Sequence, residues 1–190
     1  MAAAKRNPRN KRDRLVEAAT ALTYRQGYRK TTLSDIAQEA DVPLGNVYYY
    51  FKTRDAIGSA VLAKREGEFE ALRAYLDSLP GPRERLTGFI AMTISNAANV
   101  ANFGCPMGSL CAELSKDGGE LADRSNALLA QPMAYMAEQF NALGYADDAE
   151  ALALQLQSSL QGASLLTQSF CDPSLLEHEG ERLLTWIADL

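Results

Sequence analysis

The proline at position 43 constrains this chain more than any other residue, because it separates two short stretches of helical periodicity and neither can run through it. Proline has no backbone N–H and disfavours helical backbone at the residue before it, so Val42 is pushed out of the helical region. Ahead of the break, Leu33, Ile36, Ala37 and Ala40 recur at steps of three and four and define one apolar face. Thr32 is placed to cap that helix, and Asp35 stands where the acidic partner of a capping box belongs, near the positive end of the helix dipole. Beyond the break, Pro43 suits the first turn of a second helix, expected over Leu44 to Tyr50, with Val47 and Phe51 turned to the core. Thr31 to Lys52 therefore reads as two short helices joined by a tight turn.

The outer face of the second helix is unusual. Gly45, Asn46, Tyr48, Tyr49 and Tyr50 cannot all share the face of Val47 and Phe51, so several point outward. A glycine inside a helix costs about 1 kcal/mol relative to alanine, a loss that close approach to another surface would offset. Tyrosine hydroxyls suit phosphate oxygens, and their rings suit sugars and thymine methyls. Asn46 suits an adenine edge or a phosphate, and Lys52 a phosphate. Spacing alone leaves open a plainer arrangement, an ordinary helical hairpin with two of the tyrosines in the core.

The run from Gly27 to Ile57, G-Y-x-x-T-T-x-x-D-I-A-x-x-A-D-V-P-x-G-x-V-Y-Y-Y-F-K-x-R-D-A-I, resembles the N-terminal domain of the TetR/AcrR family of bacterial transcriptional regulators. The resemblance covers roughly residues 10 to 65, about a third of the chain. It implies an all-α fold: an N-terminal three-helix DNA-binding domain with a helix-turn-helix at residues 1–54, residues 1–9 being a disordered arm. A larger helical ligand-binding and dimerisation domain is then expected at residues 55–190. It further implies a ligand-responsive homodimeric repressor, released from a palindromic double-stranded DNA operator by a small organic effector. Carried over by position, Leu44, Gly45, Asn46, Tyr48 and Tyr49 would meet base edges, sugars or methyls, while Thr32, Tyr50 and Lys52 would hold phosphates. The last two helices would form a four-helix bundle with their copies in a partner subunit, through Leu156, Ser159, Leu160, Ala163, Leu176, Leu183, Trp186 and Ile187.

The net charge of -5 conceals a split that agrees with this. Residues 1–54 carry 11 Lys and Arg against 5 Asp and Glu; the remainder carries 8 against 19. A local phosphate-binding surface is thus compatible with an acidic protein. Lys5, Arg6, Arg9, Lys11, Arg12 and Arg14 form a basic arm that either follows phosphates or a minor groove, or is a solvated tail. No apolar segment follows it, so no signal peptide is expected, and no run is long enough for a membrane span. Cys105, Cys111 and Cys171 lack metal-ligand spacing, and a reducing cytoplasm is the expected setting. No metal, cofactor or catalytic set is expected: the single histidine, His178, has no evident catalytic partner.

Elsewhere the periodicity predicts helices over Lys11–Gln26, about 53–79, 83–103, 107–116, 121–143, 149–170 and 173–190, separated by Gly and Pro clusters. Asn96, Asn99 and Asn102 recur at steps of three and mark either a polar pocket wall or a solvated, fraying end. Pro132 falls inside an expected helix, and methionines beside it would make an adaptable wall. The candidate pocket lining is Asn96, Asn99, Phe103, Cys105, Met107, Met133, Met136 and Phe140, with core packing the alternative for each methionine. Cys105 lies near a helix N-terminus, where a thiolate is favoured, so a redox or electrophile sensor is the alternative function. The plain reading of Cys105 and Cys111 is a pair of small buried hydrophobes.

Overall fold

The computed structural model describes residues 10–190, and their regular structure is entirely helical. In chain order the helices are α1 (Lys11–Gln26), α2 (Leu33–Glu39), α3 (Leu44–Tyr50), α4 (Arg54–Asp77), α5 (Pro82–Ser95) and α6 (Ala97–Phe103). They are followed by α7 (Gly108–Asp117), α8 (Glu120–Ser125), α9 (Ala127–Ala142), α10 (Ala149–Phe170) and α11 (Ser174–Asp189). The chain divides into two compact units, Met1–Lys64 and Arg65–Leu190, so the division by packing falls within α4. The functional boundary expected from the sequence, between residues 54 and 55, lies at the start of the same helix.

In the amino-terminal unit, α1 is capped by Asn10, whose side chain accepts the Arg12 N–H at 2.6 Å. It is closed by Gly27, whose φ of 90° suits glycine. α2 opens with the expected capping box. The Thr32 hydroxyl accepts the Asp35 N–H at 3.1 Å, and the Asp35 carboxylate accepts the Thr32 N–H at 3.0 Å. Between α2 and α3, Asp41 takes a left-handed conformation at φ 50°, and the Val42 N–H turns back to the Ala37 carbonyl at 2.9 Å. Aspartate tolerates this region better than a branched residue would. Leu15, Ala19, Ile36, Val47, Phe51, Ile57 and Leu62 fill the core of this unit.

The carboxy-terminal unit is built around α10, which packs against α6, α9 and α11, while α11 also packs on α5. Its core joins Phe69, Leu76, Leu86, Ile90, Tyr135, Met136, Phe140, Leu156, Leu160, Leu176, Leu183 and Ile187. Two helices expected as continuous are each broken at an asparagine. Asn96 (φ -97°, ψ 7°) separates α5 from α6, and Asn126 separates α8 from α9. Asparagine competes for backbone hydrogen bonds, which explains breaks that hydrophobic periodicity does not register.

The expected partner interface requires a correction. Leu156, Leu160, Ala163, Leu176, Leu183 and Ile187 are buried in the chain's own core and unavailable to a partner. Ser159 and Trp186 are half-buried. The apolar residues that α10 turns outward are others: Leu154, Leu165 at 64% exposure, Leu166, and Phe170 at 70%. Both faces of α10 are apolar in sequence, so periodicity cannot distinguish the inward one.

Candidate nucleic-acid interface and small-molecule cavity

Within α3, Val47 turns inward, and Phe51 at its C-terminal cap is also buried. The opposite side presents Leu44, Tyr48 and Tyr49, the last 78% exposed, with Gly45 beside them. Asn46 and Tyr50 are half-buried, and the Tyr50 ring meets Tyr49 edge-on at 5.0 Å. A Cβ built on Gly45 would meet nothing within 4 Å, so packing within the chain does not require glycine there. Thr32 and Lys52 are exposed, the Thr32 hydroxyl serving α2 as its cap. Six of the eight candidates thus lie on α3, with Lys52 just beyond its end and Thr32 at the start of α2. Hydrogen bonds from Thr32 hold the Asp35 carboxyl below its usual range, which keeps the cap ionised.

Arginines fix this unit in ways the sequence did not reveal. Arg14 reaches from α1 into the turn, donating to the Ala40 carbonyl and, at 2.7 Å, to the Asp41 carbonyl, and it pairs with the Asp41 carboxylate at 3.2 Å. Arg54 lies 4.5 Å over the Tyr28 ring and donates to the Tyr28 carbonyl, while the Tyr28 hydroxyl donates to the Arg54 carbonyl at 3.3 Å. Arg12 stacks over Phe51 at 5.4 Å. Arg12 and Arg14, counted in the basic arm, therefore brace the fold. The rest of the arm before Asn10, with Lys5, Arg6 and Arg9, lies outside the described residues, as does the expected disorder of residues 1–9.

The carboxy-terminal unit holds a cavity of about 370 Å³. Its apolar wall comes from Phe69 and Leu72 of α4, Phe89 and Met92 of α5, Val100 of α6, Leu129 and Pro132 of α9, and Leu160 of α10. Thr93, Ser95, Asn96, Cys105, Pro106, Met107, Gln157, Gln161 and Ser164 complete the lining. Of the candidate pocket residues, Asn96, Cys105 and Met107 are brought together here. The others require correction. Met136 and Phe140 are fully buried in the core, Asn99 is exposed and donates to the Asn96 side chain at 2.8 Å, and Phe103 and Met133 lie outside the lining. Methionines around Pro132 matched the apolar face of α9 correctly, but that face packs on the core. The missed residues are the apolar wall, which the sequence cannot tell from core, and the polar residues Gln157, Gln161 and Ser164 of α10.

Cys105 sits at the polar side of the cavity. Its Sγ accepts the Gly108 N–H at 3.3 Å and a Gln161 Nε2–H at 3.4 Å. Gly108 makes room for this arrangement, since a Cβ there would lie 2.4 Å from Gln161 Oε1. Cys111 is buried and donates to the Ser125 carbonyl at 3.0 Å, and burial pushes its thiol pKa up. All three cysteines are free thiols. Among the described residues no group of acidic, histidine and cysteine side chains is placed to hold a metal ion, and no helix is long and apolar enough to cross a membrane.

Residues 15–61 match the family described as bacterial regulatory proteins, tetR family. Over 184 residues, 94% of each chain, the protein is 27% identical to the uncharacterised HTH-type transcriptional regulator in the lacX 3' region of Lactococcus lactis subsp. lactis. It is 28% identical to the HTH-type transcriptional repressor NemR of Escherichia coli (strain K12) over 132 residues, 64% of this chain and 66% of NemR. The crystal structure of the reduced form of E. coli NemR superposes with a TM-score of 0.78 at 21% identity, covering 92% of this chain and 95% of that one. A TetR transcriptional regulator from Legionella pneumophila superposes with a TM-score of 0.85 at 19% identity, covering 97% and 98% of the two chains.

Proposed function

The chain belongs to the TetR/AcrR family of bacterial transcriptional regulators and is a DNA-binding regulator; from that premise we propose a homodimeric repressor that a small organic molecule releases from a palindromic operator. Residues 1–54 form the DNA-binding domain in this reading, residues 55–190 the ligand-binding and dimerisation domain, and the protein works in the cytoplasm. The observation that carries it is the outer face of α3, where exposed tyrosines surround a glycine that the packing of the chain does not need. Leu44, Gly45, Asn46, Tyr48 and Tyr49 read base edges, sugars and methyls, and Thr32, Tyr50 and Lys52 hold phosphates. Two copies related by a two-fold axis select half-sites about one helical turn apart or a little more. The outward apolar stripe of α10 supplies the partner contact, together with the half-buried Ser159 and Trp186. The cavity of the carboxy-terminal unit holds the effector, which shifts the equilibrium by its differential affinity for the two states.

Titrating DNA binding across salt tests the assignment of Lys52. Lys52→Ala is expected to weaken binding to all duplexes and to reduce the slope of log affinity against log salt by about 1. An unchanged slope removes Lys52 from the phosphate set.

A second reading keeps the same DNA-binding unit and places a redox or electrophile sensor at Cys105. It is favoured by the place of the Cys105 sulfur at the cavity, where it accepts two N–H groups, and by the similarity to NemR. In this reading Cys105→Ser abolishes release from DNA by oxidants or electrophiles and leaves DNA binding intact. Retained release assigns the response to another group.

A further inference from the structure

We infer that the effector is an uncharged, largely apolar molecule with one polar edge that both donates and accepts hydrogen bonds; the inference rests on reading the cavity of the carboxy-terminal unit as the effector site. Charge is the first filter. No Asp, Glu, Lys, Arg or His contributes to the lining. A carboxylate, phosphate or ammonium entering the cavity would lose its hydration without gaining a counter-charge, and unpaired burial of an ion is strongly disfavoured.

The hydrogen-bonding inventory is the second filter. The hydroxyl hydrogens of Thr93, Ser95 and Ser164 are already donated to the carbonyls of Phe89, Met92 and Leu160, at 3.0, 2.7 and 2.7 Å. These hydroxyls therefore offer the cavity only oxygen lone pairs. Gln161 gives an amide hydrogen to the Cys105 sulfur. Gln157 is different: it is only 9% exposed, lines the cavity, and makes no hydrogen bond to any described residue. The amide atoms of Gln157 are open to the cavity rather than sealed in the core, so a ligand group that pairs with them takes the place of water there. A carboxamide presents a donor and an acceptor side by side. A neutral hydroxyl or amide on the ligand satisfies both, and its hydrogen also suits the waiting hydroxyl oxygens. An ether or ketone satisfies only the donor.

The test is isothermal titration of the full chain with four probes on one bicyclic skeleton: naphthalene, 2-naphthol, 2-naphthoate and 2-naphthylmethylammonium. The expected order places 2-naphthol about tenfold or more tighter than the other three, the scale of one recovered hydrogen bond. Gln157→Leu should reduce 2-naphthol to the level of naphthalene, and Gln157→Glu should shift the preference to the ammonium probe. Thermal unfolding of both variants checks that they fold, and either one suffices for the comparison. Equal or tighter binding of an ion by the unmodified chain, or a 2-naphthol preference that survives in Gln157→Leu, overturns the ligand class and leaves the effector cavity standing. Heat from none of the four probes overturns the effector-cavity reading itself, and this inference with it.

Discussion

Arg14 and Asp35 hold the α2–α3 unit from two ends, one clamping the turn and the other capping the helix before it. Removing the clamp with Arg14→Ala exposes two carbonyls that now accept a charged donor, and is expected to lower stability by about 1–3 kcal/mol in urea unfolding. Arg14→Lys should recover only part of this, because a lysine ammonium lacks the planar fork that spans two carbonyls and a carboxylate. Asp35 acts through its charge. Its folded pKa lies below the ordinary value of 3.8, so its contribution is fully present above that pH and is lost as pH falls through the folded value. Wild type and Asp35→Asn should therefore differ in melting temperature at neutral pH and converge in acid. The two residues also show how far a sequence can be read. Thr32 and Asp35 are three apart, and local spacing exposes their pairing. Arg14 and Asp41 are 27 apart, and nothing near Arg14 distinguishes a clamp from a member of a basic arm.

Among the elements, the short helices of the amino-terminal unit were legible because proline, glycine and capping side chains mark their ends. α1, α2 and α3 follow the expected course, and Val47 and Phe51 face the core as their spacing requires. The longer helices were less legible. Asn96 and Asn126 break two of them, and the two apolar faces of α10 conceal which one is inward. Close contact between α11 and α5 is set by Gly180, where an added Cβ would lie 2.3 Å from Ile94 Cγ1. Gly180→Ala is expected to cost roughly 1–3 kcal/mol through overpacking, and Ile94→Ala in the same chain should relieve part of that loss. Calorimetric melting of the two single variants and the double variant measures this coupling. Additive losses would show that the two side chains do not compete for the same space.

For the whole molecule, the proposal requires two copies and one charge-split chain. Leu154, Leu165, Leu166 and Phe170 leave α10 with an exposed apolar stripe, while Leu156 and Leu160 on the same helix are core. Converting Leu165 and Leu166 to Glu should turn a dimer into a monomer in light scattering, with folding retained. Leu156→Ala should do the reverse, lowering stability by about 2–5 kcal/mol while the folded protein stays dimeric. The cavity also belongs to this scale, since five helices contribute to it. Its apolar walls look like core in sequence, and Gln157 like an incidental polar residue, because only the packing shows where space is left between helices. The central claim is that the outer face of α3 reads DNA. It is tested most directly by selecting bound duplexes from a random-sequence library, with Tyr49→Ala run in parallel. The account predicts enrichment of one palindromic motif, with half-sites about one turn apart or slightly more, that Tyr49→Ala loses or degrades. No enriched motif, or the same motif at the same strength in the variant, would contradict it.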